Sequence, residues 1–338
     1  MSVTIKTIAA LAQVSTATVS RYINNPDSVS EKKRQVLAQV IAEQNYKPNE
    51  LARSLIMNSS NIVGVILPDI NNIYFSPIML GIEGELEKHG YSTFICNTHG
   101  DILKEKQYVD TLLTYRVAGF VFIGTRPCDK AKSRHIVELA EQHPVVLIND
   151  YIEDSSVNFI MNNEGKGVEQ AISHLYDLGH RRIGFLNSHI PMTTYAYKKA
   201  GFQQIMRKLG LDWEKFYLET NMYESGGHQA MKLLMERPEL PTAVAAANDQ
   251  MAIGAIRAVF ESGRTVPGDV SVVGYSNVPM AGEIYPRLTT IDQHPIYTGK
   301  AAAKLLLSQI NDKQPTHGTI WLDTKLVIRD SSAPPKAT

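Results

Sequence analysis

Thr4–Pro26 reads TIKTIAALAQVSTATVSRYINNP and contains two short helical patterns, not one. In the first, Thr4 can cap while Ile5, Ile8, Ala9 and Ala12 fall on one face at helical spacing. The pattern breaks around Gln13 and Val14, and Ser15 then offers a second N-cap. In the second helix Val19 and Ile23 face inward, while Thr16, Ala17, Ser20 and Arg21 share another face. Asn24-Asn25-Pro26 ends it, because proline cannot continue a helix. A third helix is expected from Ser30. Its inner face would carry Val36, Leu37, Val40 and Ile41, and its first turn Lys32, Lys33 and Arg34.

Two short helices joined by a tight turn, with small residues where they cross, make a helix-turn-helix. The second helix of such a unit presents its exposed face to the major groove of DNA. There Thr16 and Ala17 can touch base edges and thymine methyls, and Arg21 can reach guanine or phosphate. An ordinary three-helix bundle with a solvated polar face has the same spacing. Charge leans toward the first reading: residues 1–60 hold seven Lys/Arg against four acids, an excess of +3 on a chain of net charge zero. A small basic module on a slightly acidic body suggests a polyanionic partner for the module alone. The segment YKPNELARSLIMNSSN that follows has Asn49 as a cap and a helix of barely two turns. So short a helix is marginal alone, yet Leu51, Leu55 and Ile56 give it an apolar side. Such an element folds when that side meets a surface.

From Ile62 onward short apolar runs alternate with helical patterns. IVGVIL, YSTFIC, AGFVFI and PVVLIN read as buried parallel strands, with helices near 75–89, 102–115 and 131–142. After VNFIM the scheme restarts: helix 164–178, strand RIGFLN, helices 195–209 and 226–236, strand TAVAAA, helix 249–262, strand VSVVGY. The reading is an all-α helix-turn-helix head plus hinge helix, joined to an α/β body of two doubly wound lobes. Ligands of such sheets bind beyond the carboxyl ends of the strands, here in a cleft between lobes.

No apolar run approaches a membrane span, and MSVTIKTIAALAQVS is too polar for a secretory signal. Cys96 and Cys128 make no disulfide framework, so a cytoplasmic location without membrane contact is expected. G-x-x-x-x-G-K, H-E-x-x-H and C-x-x-C are missing, so neither metal nor cofactor is expected. VVGYSNVPM, Val272–Met280, hints at a nucleophile elbow at Ser276, but Val278 stands where the elbow's turn needs a small residue. The chain is therefore not expected to be an enzyme.

The stretch from TIKTIAALAQVS to YKPNELARSL, with ATVSR and VSEKKRQVL inside it, resembles the DNA-binding head and hinge of a LacI/GalR-type transcriptional regulator. GVILPDINNIYFSPIMLGIE, LGHRRIGFL, PTAVAAANDQMAIGAIRAVFESG and VPGDVSVVGYSN extend the resemblance over most of residues 3–330. It implies a periplasmic-binding-protein-like body crossed three times by the chain, near 161, 291 and 323. The implied domains are a head at 1–47, a hinge at 48–60, lobes at 61–161 plus 291–322 and 162–290 plus 323–330, and a tail at 331–338. It implies a dimer, or a tetramer built from it, on a pseudo-palindromic double-stranded operator. Thr4, Thr16, Ala17, Thr18, Ser20, Arg21, Asn24 and Lys32 would contact DNA from the head. Asn49, Ala52, Arg53 and Leu55 would do so from the hinge, Leu55 wedging into the central base step.

A small-molecule effector, a sugar or sugar derivative, would control a repressor allosterically. The resemblance places Tyr74, Phe75, Arg126, Asn149, Thr194, Lys198, Met222, Asn248, Asp249, Ser276 and Gln293 around it. Asp249 is read first as a helix cap. Two departures stand out: Lys198 falls where many relatives carry an arginine, and Ser276 where many carry an aspartate. Losing an acid while keeping a cation, with Arg126 nearby, predicts a more positive cleft and opens the way to an anionic effector. A neutral sugar remains the alternative. A solute-binding sensor without DNA function, a hydrolase using Ser276 and a regulator with a protein corepressor also remain open.

Overall fold

A computed structural model describes residues 3–46, 60–124, 130–152, 155, 157–311 and 318–336. The chain forms two compact units, Met1–Ser60 and Asn61–Thr338. The first carries helices α1 (Ile5–Leu11), α2 (Thr16–Asn24) and α3 (Glu31–Glu43). Thr4 and Thr7 cap α1 reciprocally, each hydroxyl accepting from the other's backbone N–H. Gln13 turns the chain with a left-handed φ of 51°, and Ser15 caps α2 through the Thr18 N–H. Ile8, Ala9, Ala12, Val19 and Leu37 form the core, with Val40 and Ile41 packed against it. Val36 differs from expectation. It is 40% exposed, because Leu37 takes the inward position of that turn. The expected hinge helix falls on residues 47–59, outside the described residues.

The second unit holds two six-stranded sheets. In the first lobe the strands are β1 (Ile62–Leu67), β2 (Ser92–Asn97), β3 (Gly119–Ile123), β4 (Val145–Ile148), β5 (Asn158–Asn162) and β11 (Thr319–Leu322). They run parallel in the order β11-β5-β4-β3-β1-β2. Alternate residues serve opposite faces, as a pleated strand requires. Val63, Val65, Val121, Val146 and Ile160 pack on α4 (Phe75–Glu87) and α11 (Pro295–Asn311). Ile66, Phe120, Phe122, Leu147 and Phe159 pack on α5 (Ile102–Thr114) and α6 (Lys130–Ala140).

The second lobe repeats the plan with β6 (Ile183–Ser188), β7 (Tyr217–Thr220), β8 (Ala243–Ala246), β9 (Ser271–Ser276), β10 (Thr289–Asp292) and β12 (Lys325–Val327). Their order is β12-β10-β9-β8-β6-β7, and β12 is antiparallel to β10. Helices α7 (Glu164–Asp177), α8 (Thr193–Lys208), α9 (Glu224–Met235) and α10 (Asp249–Glu261) cover it. The chain passes between lobes at Asn163, Gln293–His294 and Asp323–Thr324.

Several elements differ from the sequence reading. YSTFIC is an edge strand, not a buried one, and leaves Phe94 and Ile95 40% and 48% exposed. TTID, read as part of a crossing, pairs with β9, so the second crossing starts after Asp292. Ser331 is fully buried: its hydroxyl donates to Val272 O and accepts from Thr289 N–H, so the segment read as a tail closes the second sheet.

Both lobes lock a helix pair backbone to backbone. A Cβ on Gly299 would stand 2.1 Å from Ile78 O, and one on Gly81 would stand 2.1 Å from Ile296 O. In the second lobe a Cβ on Gly227 or Gly254 would meet Met251 O or Glu224 O at 1.9 Å. Neither carbonyl can move without breaking its helix. Gly299→Ala is therefore expected to destabilise the body by about 3 kcal/mol in chemical denaturation. Gly84→Ala, on α4 with nothing within 4 Å of its Cβ position, should instead stabilise it by about 0.5–1 kcal/mol.

Candidate functional site

On the head, Thr16, Ala17 and Arg21 stand exposed on one side of α2, with Ser20 half-buried beside them. Lys6, Lys32 and Lys33 are exposed as well. Arg34 is held by Asp27 at 2.6 Å and Glu31 at 2.8 Å, so its charge is largely spent. Thr18 does not join the exposed face. It is 8% exposed and its hydroxyl lies 2.9 Å from Ser15 Oγ, because the cap interaction turns it inward. Thr4 keeps its hydroxyl in the capping box of α1. The Asn24 side chain, Asn49, Ala52, Arg53 and Leu55 lie outside the described residues.

In the body, Tyr74, Phe75, Asn149, Thr194, Lys198, Met222, Asn248, Asp249, Ser276 and Gln293 all line one cleft of about 710 Å³, counting the space open at its mouth. Arg126 lies outside the described residues. The first lobe contributes an amide-phenol cluster: Asn149 donates to Tyr74 Oη at 2.9 Å, and Asn162 donates to Asn149 Oδ1 at 2.9 Å. Asn149 directly follows β4 and turns the chain there with a left-handed φ of 57°. Burial, reinforced by the charge of Glu164, pushes the Tyr74 phenol far above its ordinary range, so it stays a neutral donor. Tyr195 is pushed up to about 12, again mainly by burial.

The second lobe contributes the charges. Lys198 projects from α8 and is 5% exposed. Its ammonium donates to Ala247 O at 2.8 Å, lies 3.9 Å from the Tyr275 ring centre and pairs with Glu164 at 3.4 Å. Burial pulls the lysine down from its ordinary range, and Glu164 opposes that shift. Glu164 Oε1 accepts from Gln293 Nε2 at 3.0 Å, and Gln293 Oε1 accepts from the Ser276 hydroxyl at 3.0 Å.

Two readings change. The cleft is not left with an uncompensated lysine, since Glu164 supplies the acid that position 276 lacks. Asn248, not Asp249, caps α10, accepting from Met251 N–H at 2.8 Å. Asp249 accepts from Val278 N–H at 2.8 Å and from the Thr290 hydroxyl at 2.5 Å, bracing the turn after β9. Ser276 gives its proton to the Gln293 amide oxygen. Among the described residues no group of three or more side chains could hold a metal ion, and no helix is long and apolar enough to cross a membrane.

Sequence reasoning missed Glu164. An acid in the first turn of a helix is routine, and only the pairing of both lobes brings it into the cleft. It also missed Tyr223, whose hydroxyl donates across the cleft mouth to Asp69 at 3.0 Å.

Residues 4–49 match the family described as bacterial regulatory proteins, lacI family, and residues 172–332 match a periplasmic binding protein-like domain. The chain is 34% identical to the HTH-type transcriptional repressor PurR of Mannheimia succiniciproducens, over 97% of this chain and 98% of that one. The chain belongs to the LacI family. It is 32% identical to the HTH-type transcriptional repressor CytR of Escherichia coli K12, over 97% of this chain and 96% of that one. Its fold matches the lac repressor dimer bound to operator and the anti-inducer ONPF with a TM-score of 0.90, at 28% identity, covering 98% of this chain and 100% of that chain. As a LacI-family member the protein is a DNA-binding transcriptional regulator, and its two α/β lobes are the periplasmic-binding-protein-like part of that fold.

Asp249 gives this LacI-family body a testable pH signature. Burial lifts its carboxyl to about 6 from 3.8. The folded state therefore holds a proton that the unfolded state has released between those values. The contribution is fully present below about pH 4 and lost as pH rises through about 6. Across that window wild type should lose about 3 kcal/mol of stability relative to Asp249→Asn. A flat difference between the two in pH-resolved denaturation would contradict the assignment.

Proposed function

We propose that this protein is a repressor whose hold on a pseudo-palindromic operator is set by a small, neutral, polyhydroxylated effector between the two lobes. The observation that carries the reading is the cleft itself. It lies at the carboxyl ends of both sheets, lined from both lobes and by Gln293 of the second crossing, in a chain that also bears a helix-turn-helix. An effector filling it changes how the lobes close. That change reaches the head through the hinge, where Asn49, Ala52, Arg53 and Leu55 meet the minor groove. Coupling is reciprocal: an effector that weakens operator binding is itself bound more weakly by the DNA complex.

Neutrality is supported by the charge balance of the cleft, where Lys198 is matched by Glu164 and Asp249 is committed to Val278 and Thr290. Aromatic rings at Tyr74, Phe75 and Tyr195 suit the faces of a sugar or base ring. A homodimer is supported by the lac repressor relative, solved as a dimer on its operator. The exposed Phe94 and Ile95 on edge strand β2, with Tyr115 against Phe94, give apolar surface for such pairing.

Selection from random duplexes should recover inverted repeats. At the recovered site Arg21→Ala should cost about 1–3 kcal/mol and relax one base position, while Lys32→Ala should lower the salt slope by about 1. Recovery of unrelated sequences with no symmetry counts against the repressor reading. Calorimetric titration should favour D-glucose or D-ribose over glucuronate or ribose 5-phosphate; the opposite preference removes neutrality. Tyr223→Phe and Asp69→Asn should each speed hydrogen exchange at the cleft mouth, and the double variant should add nothing further.

A further inference from the structure

We propose that the first lobe holds a second ligand site, apart from the interlobe cleft, that takes a small zwitterion of the α-amino acid type. The proposal does not rest on the reading of the cleft. The pocket opens at the carboxyl ends of β1 and β3, between α5 and α6, with a volume of about 470 Å³ counting the space at its mouth. Strand order reverses there, since β1 leads outward to β2 while β3 leads back to β4. Loops at such a point part to opposite faces of the sheet and leave a crevice beyond the strand ends. Pro68 and Gly124 line both spaces and form the wall between them. That wall is tightly packed: a Cβ on Gly124 would stand 2.8 Å from Pro68 Cδ.

The two sides of the pocket carry opposite charge. From α5 and its cap come the carboxyl groups of Glu105 and Asp101; from α6 come the Lys132 ammonium and the Ser133 hydroxyl. Glu105 is 8% exposed and pairs with His135 at 2.7 Å, which ties the two helices together. Asp101 uses Oδ1 to cap α5, accepting from Leu103 N–H at 2.8 Å and Lys104 N–H at 3.4 Å. Its Oδ2 has no partner among the described residues. Ser133 is the telling residue. It is 4% exposed and lines the pocket, yet its hydroxyl makes no hydrogen bond among the described residues. A hydroxyl taken so far from water is stable only when a partner meets it.

Charge decides the class of that partner. A simple anion would be repelled by Asp101 and Glu105, and a simple cation by Lys132. A neutral ligand would leave both sides unmatched. A zwitterion lying across the gap answers both, with its ammonium toward Asp101 and its carboxylate toward Lys132 and Ser133. The first turn of α6 adds the positive end of a helix dipole on the carboxylate side. Ile66, Ile102 and Ile123 provide an apolar floor for a short side chain.

The test is calorimetric titration of the full chain with L-alanine, L-serine, L-valine and L-leucine. Each is compared with the amine that lacks its carboxylate and the acid that lacks its ammonium. At least one amino acid should bind, and both of its singly charged analogues should bind tenfold or more weakly. Asp101→Asn, which keeps the cap and removes the charge, should weaken that amino acid about tenfold. Ser133→Ala should weaken it about fivefold. Binding of none of the four overturns the proposal, as does an amine or acid that binds as well as its parent. Binding unchanged in either variant puts the ligand elsewhere on the chain and overturns it too.

Discussion

A lysine and a glutamate buried against each other at the junction of two lobes set the terms for the residues around them. Lys198 could not stay charged so far from water on its own, and burial pulls its proton affinity down. Glu164, the carbonyl of Ala247 and the face of the Tyr275 ring share the task of holding it. Tyr275 can lie there because Gly167 has no Cβ; one would stand 2.2 Å from the phenol oxygen. Removing either charge leaves the other stranded, which is why the pair binds α7, α8 and the second crossing into one unit. A ligand entering this cleft meets a solved electrostatic problem and has to fit within it.

Much of this could be read from residue patterns. The head was legible because capping residues and helical spacing agree: Thr4 and Ser15 cap where expected, and Ile8, Ala9, Ala12 and Val19 pack as expected. The central strands were legible because parallel strands buried on both faces are continuous apolar runs. Edges were not. Tyr217–Thr220 is short, polar and half-exposed, so nothing in its composition separates it from a loop. Thr18, carried over by resemblance alone, lies inward because its hydroxyl pairs with Ser15 at the helix cap, a contact that residue type does not reveal.

The cleft divides in the same way. Residues that a resemblance can carry over come together, because the fold places the same strand ends and crossings in one space. Its charge was misjudged, since an acid missing at Ser276 was counted while one present at Glu164 was not. Sequence separation explains the error. Glu164 and Gln293 are 129 positions apart, and only the second and first crossings running side by side make them neighbours. Asp249 shows the converse: it was nominated for the ligand, but the turn after β9 claims it.

The threefold crossing also fixes an order of assembly during synthesis. The head has its whole described core within residues 3–46 and can close as soon as that length leaves the ribosome. Neither lobe has that freedom. The first waits for α11 and for β11 at Thr319–Leu322, and the second for Ser331 and Ala333, which bond Val272, Thr289 and Ser271. Through most of translation two incomplete sheets sit side by side with apolar faces uncovered, the condition in which a nascent chain most needs a chaperone.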